Sequence, residues 1–295
     1  MIRALDRRAA IALLGAGSLG ACVSASAAPR RRPLGVLEMT VTKALQEDYA
    51  GTLRKLAGMG YTHLGMSLAG NRPGEVFALG PKERAALVRE AGMQVGVARY
   101  GFAGGFREQA EQAVEIGASI LAYTAAPVFF RGAKFGQTTR AAFDKWLPEL
   151  GKMAETAREL GLTLVYHNHW WDFKPLDGET PLEIIARTYP PSLVGFEIDL
   201  AWAWLGGADP FTVVSTYGPR VRSLHLKDVD PSRGKDMIKQ LVEPGAGRLD
   251  YATLLPKLDK ITDAIGYVEV DQPDDGMAAA ASAARFLLAV RAGEA

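Results

Sequence analysis

The sequence predicts a parallel eight-stranded β/α barrel with an export signal in front of it. Three observations carry that expectation. Short apolar runs rich in β-branched and aromatic residues recur along the chain and alternate with longer amphipathic stretches. Glycines stand where the helical stretches hand over to the next apolar run. Polar residues with catalytic chemistry gather at the ends of the later runs, which is where such barrels build their sites.

Residues 1–28 read as a signal peptide. Arg3, Arg7 and Arg8 precede an apolar run over 9–19, too short to span a bilayer, and small residues follow. The pair Arg7-Arg8 suggests the twin-arginine route, which exports folded proteins. Cys22, the single cysteine, sits in Leu19-Gly20-Ala21-Cys22, which resembles a lipoprotein signal whose cysteine is acylated. Ala25-Ser26-Ala27 fits the small-x-small cleavage rule as the rival site. Either way the expected location is the periplasm, with a lipid anchor at Cys22 as the one possible membrane tie. Disulfides and thiolate metal sites are excluded by the cysteine count.

A basic, proline-containing linker at 29–33 leads into the barrel, expected over 34–293. The strand candidates are 34–39, 61–67, 94–100, 119–124, 162–167, 193–199, 221–227 and 267–270. Helical spacing marks 43–59, 81–91, 106–116, 140–160, 181–188 and 251–261, with an alanine-rich helix at 277–292. Gly60, Gly92, Gly117, Gly161 and Gly266 are the expected helix exits. Strands and helices in alternation argue for a parallel sheet closed on itself. An open doubly wound sheet would usually carry a glycine-rich phosphate loop after its first strand, whereas here that strand runs into Glu38-Met39-Thr40-Val41. A match to G-x-G-x-x-G, Gly15 to Gly20, lies inside the signal peptide.

The length of 295 residues suits one such domain, and 48% apolar with 23% charged residues is ordinary for a globular protein. A net charge of +1 asks for no polyanionic partner, so nucleic acid is not expected.

Four strand ends carry chemistry: Tyr166-His167-Asn168-His169, Glu197-Ile198-Asp199, His225-Leu226-Lys227-Asp228 and Glu269-Val270-Asp271. Each holds a polar pair at i, i+2, which places both side chains on one face of a strand. If that face is the lumen, eight polar groups converge. The chain has four histidines, and three lie in these endings. Two imidazoles with two carboxylates suit a borderline divalent cation, so His167, Asp199, His225 and Glu269 form the expected ligand set. Clustered charges would be costly to bury without a cation. Trp170, Trp171, Trp202 and Trp204 follow the fifth and sixth strands directly. Aromatic faces suit the C–H face of a sugar ring and exclude water, a role expected first of Trp170 and Trp202; Trp171 and Trp204 serve equally well as packing.

At these residues the sequence resembles the sugar phosphate isomerase/epimerase family, the xylose isomerase-like barrels. Gly-Leu-x-Leu-x-Tyr-His-Asn-His, Val-Gly-Phe-Glu-x-Asp, Gly-Ala-Asp-Pro, Leu-His-x-Lys-Asp and Val-Glu-x-Asp-Gln-Pro, between Gly161 and Pro273, carry the likeness, and the N-terminal half fits by rhythm. The resemblance implies a divalent metal, manganese first with magnesium, cobalt or zinc as alternatives. It places the ligands on His167, Asp199, His225 and Glu269. It implies an isomerase or epimerase of a keto sugar or cyclitol that works by proton transfer through an enediolate. By the same analogy Glu269 is the base, and Lys227, Arg233 and Asp271 bind substrate oxygens.

The sequence also departs from the family pattern. His167 stands where epimerases carry a glutamate, and Gly65 and Arg99 stand at strand ends where relatives often carry Glu and His. Two-base epimerisation needs a further acid–base group, which Asp172 or His169 could supply. A lyase or glycoside-cleaving enzyme acting on 3-keto-glycosides would use the same chemistry and expel a leaving group. A non-catalytic sugar-binding protein is the third expectation. A DNA-repair role like that of endonuclease IV is rejected, since export with near-neutral charge removes the DNA.

Overall fold

The computed structural model describes residues 32–69, 77–101, 104–132 and 134–294. The signal-peptide reading and Cys22 lie outside the described residues. Seven strands come first: β1 (Leu34–Leu37), β2 (His63–Ser67), β3 (Gln94–Arg99), β4 (Ile120–Tyr123), β5 (Thr163–His167), β6 (Val194–Asp199) and β7 (Val221–Leu226). A two-stranded antiparallel ribbon of β8 (Asp228–Val229) and β9 (Leu241–Val242) follows, and β10 (Ile265–Val268) completes the set. Strands β1 to β7 and β10 form a closed barrel in which β10 pairs with both β7 and β1. All its pairings are parallel, as alternation with helices requires.

Barrel closure leaves two apolar compartments. The larger lies between the strands and the surrounding helices. The smaller fills the lumen with Leu37, Val97, Ala122, Val165 and Tyr267. Tyr267 needs the glycines around it: a Cβ at Gly35 would lie 2.3 Å from its ring, and one at Gly96 would lie 1.9 Å from its hydroxyl. This packed floor confines the site to the C-terminal rim of the strands.

Several expected boundaries move. The helix expected over 43–59 is two, Thr42–Glu47 and Tyr49–Gly58, because Asp48 takes an extended conformation (φ −152°) and its side chain accepts from Gly51 N at 2.8 Å. Gly60, Gly92, Gly117 and Gly161 follow helices with φ between 75° and 100°, as left-handed exits require. Gly266 does not: its helix, Tyr251–Ile261, has already ended, and the glycine sits inside β10, where a Cβ would lie 2.6 Å from Leu226. Helices Leu200–Leu205 and Pro210–Tyr217, and the β8–β9 ribbon, were not foreseen. The first of these is capped by a site residue, Asp199, whose Oδ1 accepts from Trp202 N at 2.9 Å.

Candidate active site

Strand register brings the polar pairs together. His167 pairs with Glu197 across β5 and β6, and Asp199 pairs with His225 across β6 and β7. The second pairing depends on a register shift between Phe196 and Glu197. Asn168 ties the two strand ends: its Nδ2 donates to Asp199 O at 3.2 Å, and Asp199 N donates to its Oδ1 at 3.0 Å. Glu269 and Asp271 follow directly after β10.

Eight groups converge. Glu197 is fully buried; its Oε1 lies 2.9 Å from His225 Nε2 and 3.3 Å from His167 Nδ1, and its Oε2 accepts from Ser223 Oγ at 2.8 Å. Asp199 Oδ2 lies 3.5 Å from His225 Nδ1, and Glu269 Oε2 lies 2.7 Å from the same nitrogen. Lys227, also fully buried, points its Nζ at Asp199 Oδ2 (3.0 Å), Glu269 Oε2 (2.6 Å) and Asp271 Oδ2 (2.6 Å). His169 meets the His167 ring edge-on at 4.9 Å and stacks on Trp171 at 4.5 Å.

A ninth group comes from the other half of the barrel. Arg99, at the end of β3, donates from Nη1 to Glu197 Oε1 at 2.7 Å and lies 3.1 Å from His225 Nε2. In the sequence Arg99 is visible as a departure from the family pattern, and nothing there foretells its ion pair. Glu197 was legible through its i, i+2 spacing with Asp199, but not its role of holding His167, His225 and Arg99.

The charges set one another's protonation. Burial alone would raise the carboxyls of Glu197 and Glu269; His225 and Arg99 hold the first, and Lys227 and His225 the second, well below the usual range. Burial would empty His225 of its proton, but Glu197 and Glu269 carry it well above the usual histidine value. Burial, and then neighbouring positive charge, drives His167 and His169 down. Lys227 would lose its proton to burial, but Asp199, Asp271 and Glu269 raise it instead.

Part of this cluster faces a cavity of about 430 Å³, while Glu197, Asp199 and His225 do not line it. Arg99, His167, His169, Lys227, Glu269 and Asp271 line it, with Trp170, Trp171 and Trp202 and the half-exposed Phe130. Trp204 is 37% exposed and lies outside it. Two expected site residues are placed elsewhere. Arg233 lies in an exposed turn, paired with Asp274 at 3.1 Å. Asp172 is buried behind the strand-five turn, where its Oδ1 accepts from Tyr166 Oη and its Oδ2 from His169 N, both at 2.8 Å. Burial raises its carboxyl to about 7. Asp172 therefore holds the His169 backbone and does not line the cavity.

The donor set fits a metal ion. His167, Asp199 and His225 each offer a ligand atom, all within 4.8 Å of one another. His167 Nδ1, Asp199 Oδ2, His225 Nδ1 and Glu269 Oε2 are buried without a directed hydrogen bond, one atom from each member of the expected ligand set. Lys227 and His225 approach the two oxygens to ion-pair distance but are not aligned as hydrogen-bond donors to them. Among the named groups, the four carboxylates outnumber the two permanent cations, Arg99 and Lys227. Neutral imidazoles would leave two negative charges, which is the charge a divalent ion neutralises.

Comparison with known proteins agrees with this architecture. The family model described as Xylose isomerase-like TIM barrel matches residues 53–290. The chain belongs to that family. Within it, the barrel is similar to the crystal structure of a sugar phosphate isomerase/epimerase from Parabacteroides distasonis ATCC 8503, with a TM-score of 0.73 at 20% identity over 90% of this chain and 96% of that one. It is also similar to a xylose isomerase-like TIM barrel protein from Mycobacterium smegmatis in complex with magnesium, with a TM-score of 0.56 at 14% identity over 90% of this chain and 98% of that one. At such identities the likeness establishes the fold. An inosose dehydratase of Geobacillus kaustophilus (strain HTA426) is 26% identical over 149 residues, 46% of this chain and 47% of the relative. The chain thus matches about half the length of that relative.

Proposed function

We propose that this xylose isomerase-like barrel is a divalent-metal-dependent enzyme that removes a proton beside the carbonyl of a keto sugar or cyclitol, as an isomerase or epimerase. The observation that supports this reading best is the gathering of ligand atoms from His167, Asp199 and His225 within 4.8 Å of one another, with Glu269 beside His225 and an aromatic-walled cavity next to them. A bound divalent cation, manganese by analogy or magnesium as in the Mycobacterium smegmatis protein, would supply Lewis acidity that acidifies the carbon next to the carbonyl.

The chain's own residues do the rest. Glu269 takes the proton; its low proton affinity suffices for a carbon already acidified. His169 lines the cavity from β5 as an uncharged imidazole, and it replaces Asp172 as the second acid–base group. Lys227 and Asp271 bind substrate oxygens, and Trp170 and Trp202 cover the ring and exclude water. A second reading, elimination of a leaving group from the same intermediate, is favoured by the similarity to an inosose dehydratase. Glycoside cleavage belongs to that class.

Purified protein with Mn²⁺ and a panel of keto sugars, inososes and 3-keto-glycosides in heavy water tests the reading. Deuterium uptake beside the carbonyl, with no loss of water or of an aglycone, identifies an isomerase or epimerase. Loss of water or of an aglycone identifies elimination, and neither exchange nor loss with any substrate refutes both. Glu269→Gln should lower exchange at least about a hundredfold. Exchange that survives in Glu269→Gln but disappears in His169→Gln would move the base to the β5 side. Export is part of the same proposal: Arg7→Lys/Arg8→Lys should leave precursor in the cytoplasm if the route is twin-arginine, and unchanged export would point to the general route.

A further inference from the structure

Lys227, unlike Arg99, lies against the donor atoms themselves. Its Nζ is 3.0 Å from Asp199 Oδ2 and 2.6 Å from Glu269 Oε2, and those two oxygens belong to the expected ligand set and accept no directed hydrogen bond. We infer that Lys227 is a built-in competitor for the metal, and that the Lys227–Asp271 pair sets the metal affinity of the site by deciding how much of the ammonium's attraction falls on Asp199 and Glu269. The inference rests on the metal reading above and concerns affinity rather than reaction.

Three features of the geometry support it. First, His167, Asp199 and His225 gather within 4.8 Å, while Glu269, the remaining expected ligand and an oxygen closest to Lys227, is not part of that group. Second, Lys227 is fully buried, so a divalent cation reaching the same oxygens meets a fixed positive charge that water screens poorly. Third, Asp271 gives the ammonium another place to go. Its Oδ2 accepts from Nζ at 2.6 Å, and it is outside the donor set. Glu269 Oε2 and Asp271 Oδ2, each 2.6 Å from Nζ, put a donor carboxylate and a holding carboxylate side by side. Lys227 Nζ also lies 5.6 Å from the Trp202 ring, a further weak hold on the cation away from the donors.

This assigns Lys227 and Asp271 as positioning residues for the metal, a role distinct from binding substrate oxygens. A lysine left wholly on Asp199 and Glu269 would exclude the metal, whereas an uncharged residue would leave the carboxylates free to bind it tightly.

Isothermal titration of Mn²⁺ alone into the metal-stripped full chain tests this without any substrate. Lys227→Met should bind Mn²⁺ at least about tenfold more tightly than the wild type, since a like charge beside the site is removed. Asp271→Asn should bind it about tenfold more weakly in the presence of Lys227, and in the Lys227→Met background its effect should shrink to about threefold or less. Lys227→Gln is measured alongside, so that a folding defect in one variant does not decide the result; circular dichroism checks each. Unchanged or weaker binding by folded Lys227→Met and Lys227→Gln overturns the inference. So does an Asp271→Asn loss that persists undiminished without Lys227, because that would be simple loss of negative charge. Wild-type binding that His225→Ala abolishes, with no gain in the Lys227 variants, leaves the metal reading standing and removes this one alone. No binding by any of the proteins removes both.

Discussion

At the rim of the barrel, β5, β6, β7 and β10 lead into His167 and His169, Glu197 and Asp199, His225 and Lys227, and Glu269 and Asp271, a continuous charged network. Strands β1 to β4 end in Leu37, Ser67, Arg99 and Tyr123, of which Arg99 joins that network. The first half of the barrel holds a buried ion pair of its own, Glu38 with Arg84, and is otherwise built for close packing. Gly35, Gly65 and Gly96 line the space taken by Tyr267 and Leu37, and a Cβ at Gly65 would lie 2.2 Å from Leu37 Cδ2. The contrast teaches how a glycine can serve the first half. Gly65 lies inside β2 with the space beside it filled by Leu37, and this half contributes to the charged network Arg99, whose partner Glu197 is supplied by the other half.

The comparison can be broken at Arg99. Arg99→Met leaves Glu197 buried with one permanent cation fewer, and losing one partner of a buried pair is expected to destabilise the fold by about 3 kcal/mol. Urea unfolding measures it; a change within about 0.5 kcal/mol would mean that the two halves are electrostatically independent.

A smaller effect is expected on enlarging Gly65. Gly65→Glu should destabilise by about 1–3 kcal/mol through overpacking against Leu37. Adding Leu37→Ala should recover part of that loss. Equal stability of the single variant and the wild type would show that the first half is looser than its contacts indicate.

The smallest effect serves as a control on the charged half. Gly161, with φ 78° and open space around its Cα, should lose about 1 kcal/mol on conversion to Ala because the left-handed exit strains a Cβ. It lies at the opposite end of β5 from the site, so Mn²⁺ affinity should not move. A parallel loss of affinity would show that metal binding merely reports overall stability.

Much of the architecture was legible in sequence because barrel strands and their helices have different hydrophobic periods, and because glycine marks four of the helix exits. Gly266 misled because a glycine can also serve close packing, here against Leu226. The charged pairs were legible because i, i+2 spacing survives any rotation of a strand. Arg233 and Asp172 were not placed correctly, since both lie beyond strand ends, where the path of the loop decides direction. One turns to Asp274 at the surface, and the other folds back to cap the turn that holds His169.

The sequence alone determined that there would be eight barrel strands, that paired polar residues would sit at the ends of the later ones, and which residue types would meet there. These are properties of local period and composition, which the chain carries wherever it goes. The tertiary structure decided which atoms face one another. Asp199 lies opposite His225 because the β6–β7 register shifts between Phe196 and Glu197; without that shift Asp199 would face Leu224. Arg99 reaches Glu197 across 98 residues of sequence, and Lys227 settles between Asp199, Glu269 and Asp271. Register and long-range charge pairing depend on how the barrel closes, and closure is a balance over the whole sheet that no local stretch of sequence contains.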